Sequence, residues 1–213
     1  MGWQKTFGIF VVCAALIISG CLYLDIRLAE FVSEKVGFGF IFSERVSNLP
    51  DLLFVMVCII TVVSWTGRLY QAGKPAKGWI LNFLEHMGLA VPFAFVLKEL
   101  LKELFGRTNT RIWLLHPDRL GFHWFHGEGD FASFPSGHMA VFTVLMLGIG
   151  RYFPRLCPVC AGLLFVLALA LIVTQYHFFS DIVAGAYLGV IVDLLTCRGL
   201  AYFRDSNKLK AKG

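Results

Sequence analysis

Residues 156–176 read "LCPVCAGLLFVLALALIVTQY", without one charged side chain. A helix of about 20 apolar residues crosses the hydrocarbon core of a bilayer. Only a helix or a closed barrel satisfies every backbone polar group there. The stretch predicts a membrane helix, and the chain on either side of it repeats the pattern. Apolar runs at about 7–24, 50–67, 79–98, 136–153 and 180–197 are long enough, or nearly so, to span. Together with 156–176 they predict an all-α, six-transmembrane-helix bundle, a single integral membrane domain over residues 1–213.

Composition agrees. Of the 213 residues, 57% are hydrophobic and 15% charged, and the mean hydropathy is +0.71. Soluble domains carry about 25% charged residues. The net charge of +5 does not read as nucleic-acid binding, because the excess falls in short connections and in the C-terminal tail. Lys5, Arg68, Lys74, Lys77, Arg151 and Arg155 lie on one side with Arg198, Arg204, Lys208, Lys210 and Lys212. The positive-inside rule places that side, and both termini, in the cytoplasm. The mixed-charge connections 25–49 and 99–135 then face the periplasm or exterior, across what reads as a cytoplasmic (inner) membrane.

The N-terminal "MGWQKTFGIFVVCAALIISGCLYL" has the lysine-then-apolar look of a signal peptide, and "ISGC" would suit lipoprotein processing. Its apolar length predicts a retained first helix instead. Segment 33–48 reads either as an amphipathic stretch on the membrane surface or as an ordinary linker. Cys157 and Cys160 form "CPVC", a spacing open to redox or metal chemistry. On the cytoplasmic side that pair reads as part of a helix start in a reducing compartment. The small residues of "VAGAYLG" (183–189) allow close helix packing, within one chain or between copies, so the oligomeric state stays open.

Three polar clusters from distant parts of the chain reach one face of this topology: "KELLKELFGRTNTR" (98–111), "FPSGH" (134–138) and "QYHFFSD" (175–181). His177 and Asp181 are four apart, which stacks them if they are helical. An aspartate beside a histidine fixes its tautomer and raises its basicity, as a nucleophilic imidazole requires. His138 is a second imidazole, suited to general acid work. Lys102, Arg107 and Arg111 supply cations for phosphate. Ser136 offers a hydroxyl, and the backbone N–H of Gly137 at a helix start can hold an anion. The set points to phosphoryl transfer through a phosphohistidine, with no metal needed where cations neutralise the phosphate oxygens.

These residues resemble the type 2 phosphatidic acid phosphatase superfamily, whose six spans fit the whole chain and whose motifs fall between about 98 and 197. The second family motif is complete in Pro135, Ser136, Gly137 and His138. The second half of the third is complete in His177 and Asp181, and the first keeps Lys102, Gly106 and Arg107. The resemblance implies His177 as nucleophile, Asp181 as its orienting group, and His138 as the acid that protonates the leaving oxygen. It implies a phosphorylated lipid as substrate, membrane lipids as surroundings, and no metal or other cofactor. The candidate substrates are undecaprenyl diphosphate, phosphatidylglycerol phosphate, phosphatidic acid and lipid A, by hydrolysis or by transfer to another acceptor.

Two family arginines are missing. Their positions hold Asn109, followed by Thr110, and Leu171, preceded by Ala170. Arg107 or Arg111 is expected to replace the lost charge, with Arg119 a weaker candidate. The alternatives are a catalytically impaired or inactive member that binds phosphorylated lipid, and a quinone-linked oxidoreductase built on Cys157 and Cys160. In the loop 116–131, His116, His123, His126, Glu128 and Asp130 have spacings open to metal. Trp124 and Phe125 make it read more as an interfacial anchor, a headgroup contact or a lid. Glu85, His86 and Asp193 lie deeper in the spans and are expected to be structural polar groups.

Overall fold

The computed structural model describes residues 3–36, 49–71 and 78–210, and the described residues are mostly helical with no β-strand among them. Helix α1, Trp3–Ser19, runs through a π-turn, Gly20–Leu24, directly into α2, Asp25–Val36. Then come α3 (Leu49–Gln71), α4 (Gly78–Phe105), a short α5 (Thr110–Leu115), α6 (Gly137–Tyr152), α7 (Cys157–Val173) and α8 (Phe179–Lys210). Among the described residues, five stretches are long and apolar enough to cross a membrane: Phe10–Val36, Asp51–Gln71, Gly78–Phe105, Pro154–Val173 and Phe179–Ser206. The expected fourth span, α6, is only 16 residues long and is packed among α4, α7 and α8. The chain is an integral membrane protein built as an all-α bundle.

Three expected ends move outward. The first helix runs to Val36 instead of residue 24, the third long helix to Phe105 instead of 98, and the last to Lys210 instead of 197. The apolar run stops at the first charges, but leucine, lysine and glutamate are strong helix formers. "KELLKELF" (98–105) therefore continues the helix it was expected to end. Residues 37–48 of the possible surface stretch, and Lys74 and Lys77, lie outside the described residues.

The core sits between α4, α6 and α8. Ala90, Val91 and Ala94 meet Ala140, Val141 and Val144, with Leu188 and Val192 closing the third side. Lipid tails are as apolar as these side chains, so close van der Waals packing holds such helices together. The small residues of 183–189 serve that contact inside the chain. A Cβ on Gly185 would strike the Ser136 carbonyl, and one on Gly189 would strike the Ala140 carbonyl and Thr143. α4 carries Pro92 in its interior. Proline lacks the N–H that would bond the carbonyl four residues back. That carbonyl, on Gly88, accepts instead from Trp65 Nε1 of α3 at 3.1 Å.

A polar network crosses the bundle where the sequence expected structural polar groups. His86 Nε2 meets Asp193 Oδ1 at 3.0 Å, Arg151 bonds the other Asp193 oxygen, and Arg204 Nη2 meets Glu85 Oε2 at 2.8 Å. Cys197 Sγ lies 3.5 Å from His86 Nδ1. With a rise of 1.5 Å per residue, His86 is about 18 Å along α4 from Lys98. Asp193 is the same distance along α8 from Asp181, so the network stands well away from the three polar clusters.

Candidate active site

Five elements converge at the opposite end. Ser136 caps α6: its Oγ accepts the Met139 N–H at 3.5 Å, as serine commonly does at a helix start. This opens the helix with Gly137 and His138 at its first turn. Ser136 N also donates to the Asp181 carbonyl at 3.0 Å, tying the starts of α6 and α8 together. α4 ends at Gly106, whose φ of +54° favours glycine. The Gly106 N–H bonds the Lys102 carbonyl at 2.9 Å, and the chain turns so that Arg107 enters the bundle.

His177 sits in the turn between α7 and α8, not on a helix. Its Nδ1 lies 3.7 Å from Asp181 Oδ2, in the first turn of α8. That is too long for a direct hydrogen bond. Ser133 fills the gap: its hydroxyl donates to Asp181 Oδ2 at 2.6 Å, and its oxygen lies 3.3 Å from His177 Nδ1. A hydroxyl that donates to the carboxylate accepts from the ring, so this geometry puts the ring proton on Nδ1 and the lone pair on Nε2. Asp181 also accepts the Phe178 N–H at 3.1 Å. Burial pushes the His177 pKa below its ordinary value, against the pull of Asp181; Lys102 adds to the lowering. The imidazole is thereby kept neutral near pH 7.

The His138 and His177 rings, 6.5 Å apart between centroids, both line a cavity of about 440 Å³. Gly137, Lys98, Lys102 and Asn109 line it too, and Asp51 and Glu99 add acidic groups to its wall. Lys98 bonds the neighbouring Glu99. A second cavity of about 260 Å³ also touches His138. Its other walls are apolar, including Leu53, Met56, Phe142, Ala170 and Leu171.

Arg107 and Arg111 do not take the places expected of them; neither lines the cavity between the two histidines. Arg107 is 4% exposed and spans two carboxylates. Its Nη1 reaches Asp181 Oδ1 at 2.5 Å, and its Nη2 reaches Asp25 Oδ2 at 2.7 Å. Burial opposes its charge, but Asp181 and Asp25 prevail and raise its pKa. Arg111 donates from Nη2 to the Thr174 carbonyl at 3.0 Å and lies 5.0 Å over the Tyr176 ring. Both guanidiniums are consumed in building the site. Ser136, expected on the phosphate, is fully buried as a helix cap. Arg119 is drawn 3.7 Å from Asp130 within its own loop.

Of the family's missing arginine positions, Asn109 lines the cavity and caps α5, its Oδ1 accepting the Arg111 N–H at 2.9 Å. Leu171 is 3% exposed and packs with Met139 and Ile182. The loop 116–131 forms a strap: its backbone and the segment just after it bond to residues 106–109 through His123, Gly121, Asp130 and Ser133. The ring nitrogens of two of its histidines face loop carbonyls, His126 Nδ1 that of Trp124 at 2.8 Å and His123 Nε2 that of Arg119 at 3.3 Å.

Ser133 and Asp25 were missed in the sequence. Ser133 stands just before a recognisable motif but outside it. Asp25 carried a signal, since an acidic residue ending an apolar run is costly unless it is paired.

The model of the PAP2 superfamily matches residues 83–205, from within α4 to near the end of α8. The chain belongs to the PAP2 superfamily. A lipid A 1-phosphatase of Rhizobium etli is 26% identical over 153 residues, 66% of this chain and 63% of the relative. The chain thus spans less than two thirds of that relative's length. A solved structure, the transmembrane PAP2 type phosphatidylglycerolphosphate phosphatase from Bacillus subtilis, is 17% identical. It aligns over 93% of this chain and 96% of its own, with a TM-score of 0.47.

Proposed function

We propose that this PAP2 protein is a membrane lipid phosphatase working through a phosphohistidine. His177 Nε2 attacks phosphorus, and the bond from phosphorus to the lipid oxygen breaks. His138 gives that oxygen its proton. Water then attacks phosphorus, His138 takes the proton back, and the P–N bond breaks to release phosphate. Asp181, through Ser133, steadies the positive charge that grows on the His177 ring. Lys102 and the Gly137 N–H meet the phosphate oxygens.

The observation that carries this reading is the pair of imidazoles lining one cavity, one of them oriented by a buried hydroxyl–carboxylate relay. Binding alone needs neither a nucleophile nor an acid. A lipid substrate is supported by the apolar cavity that meets the polar one at His138. A hydrocarbon chain beside the proton donor places the leaving oxygen where the acid can reach it. Asn109 and Leu171 bring no guanidinium, which favours a phosphomonoester over a diphosphate. The lysines and arginines at the far ends of α3, α6 and α8 support a cytoplasmic location for those ends, and hence an outward-facing site.

The test is phosphate release by the purified protein in detergent, offered lipid monophosphates and diphosphates. Wild type is expected to release phosphate, His177→Ala to lose more than about 1000-fold, and His138→Ala about 100- to 10,000-fold. Folded wild-type protein that releases phosphate from none of these lipids would favour a lipid-binding role instead.

A further inference from the structure

The first helix lies outside the family match, which begins at residue 83. Most of it faces outward: Phe10, Val12, Ile18, Leu22 and Tyr23 are exposed. Gly20, Ala29 and Val32 are buried, and among the buried residues of this helix Asp25, at 2% exposure, is the charged one. The π-turn before it ends in a bond from the Asp25 N–H to the Gly20 carbonyl. Gly20 packs so tightly on Ser180 that a Cβ would crowd it. Asp25 Oδ1 accepts the Ser180 N–H at 2.9 Å, and Oδ2 accepts the Ser180 hydroxyl at 2.5 Å and Arg107 Nη2 at 2.7 Å. A hydrocarbon anchor has no need of a buried carboxylate, whose desolvation is costly.

We infer that Asp25 is a positioning residue of the catalytic site, acting through Arg107 on the Asp181–His177 pair. The inference rests on the function proposed above. Arg107 divides its two terminal nitrogens between Asp25 and Asp181. Asp25 thereby holds the guanidinium in register and offsets part of its charge. Asp181 keeps its other oxygen, and its negative field, for Ser133 and His177. Without Asp25, the full positive charge of Arg107 bears on a ring that becomes positive as it attacks phosphorus.

The charged and titratable groups around His177 come from every neighbouring element. Lys102 stands on α4, Arg107 follows it, and Arg111 lies on α5 over Tyr176. His138 stands on α6, Tyr176 is next in the turn, Asp181 and Asp25 come from α8 and α2, and Asp51 of α3 with Lys98 and Glu99 of α4 line the same cavity. Removing the one negative charge that reaches the ring only through Arg107 should lower its proton affinity.

Asp25→Asn keeps an acceptor for the Ser180 N–H and removes the charge. Two readouts decide the matter: turnover against pH, and the NMR titration of the His177 ring in micelles, assigned with His177→Gln. The expected result is a kcat reduced about tenfold with KM within about twofold, and a His177 titration moved down by about half a pH unit. A titration and kcat both equal to wild type would overturn the inference. So would a loss of activity in folded protein whose His177 titration has not moved, which would make Asp25 a structural tie. If wild type turns over nothing yet the titration still moves, the coupling stands and the phosphatase reading falls. Should Asp25→Asn fail to fold, Asp25→Glu and Asp25→Gln ask the same question at matched size. The Glu variant should then keep the wild-type titration and the Gln variant lose it.

Discussion

Ser133 Oγ lies 2.6 Å from Asp181 Oδ2 and donates to it. The same oxygen faces His177 Nδ1, so carboxylate and imidazole communicate through a hydroxyl. Ser133→Ala breaks this relay and leaves a gap the two groups do not bridge. Loss of a hydrogen bond to a charged group costs about 1.5–3 kcal/mol. kcat is expected to fall about 10- to 100-fold with KM nearly unchanged, as steady-state kinetics on the preferred lipid phosphate will show.

The pH dependence follows from His177. In the proposed mechanism the attacking form is the neutral ring, and its pKa is held below the ordinary 6.5 by burial first, with Lys102 adding to the lowering. Activity is therefore retained at and somewhat below pH 6.5 and lost only as pH falls through the lowered value. A profile of kcat/KM, which reports groups of the free enzyme, should place the acid limb below 6.5. A limb above 6.5 would contradict the assignment.

The two lysines in the cavity are not equivalent. Lys98 is paired with Glu99, whereas Lys102 forms no ion pair among the described residues. Lys102→Met should lower kcat/KM by about 10- to 100-fold, the worth of a charge-assisted hydrogen bond. Lys98→Met should cost several times less. Equal losses would mean that substrate displaces Glu99.

Restoring the family arginines should give opposite results at the two positions. Asn109 lines the cavity, so Asn109→Arg is expected to lower KM, at the expense of a helix cap worth about 1 kcal/mol. Leu171 packs among Met139 and Ile182, where an unpaired guanidinium costs several kcal/mol. Leu171→Arg should reduce the yield of monodisperse protein in detergent and bring no gain in turnover. A gain there would show that position 171 reaches the phosphate.

The bundle was legible because a bilayer imposes its demands residue by residue. A run such as 156–176 has no other stable setting, and Pro135, Ser136, Gly137 and His138 mark the start of α6 by themselves. Helix ends were less legible, since hydropathy stops at Lys98 while helix propensity carries on to Phe105. His177 and Asp181 were found through their spacing, though a turn, not a helix, brings them together. The role of Arg107 was not legible. Its direction is set by the positive φ of Gly106 and by a carboxylate 82 residues away. Ser133 and Asp25 owe their importance to contacts across 48 and 155 residues, which no local pattern records.

The π-turn at Gly20–Leu24 makes the first helix answer to phase as well as to length. A bond spanning five residues holds one residue more than an α-helical turn would, and each residue advances an α-helix by about 100°. The turn has already taken up its spare residue, so removing one from it would close an ordinary α-helical turn and leave Asp25 over Gly20. Adding one there would instead turn Asp25 by about 100° from Arg107 towards the lipid, with the apolar stretch essentially as long as before. A lengthened protein of this kind should still insert and yet lose its register with the site, so that one part of the chain separates the problem of residing in a membrane from that of working there.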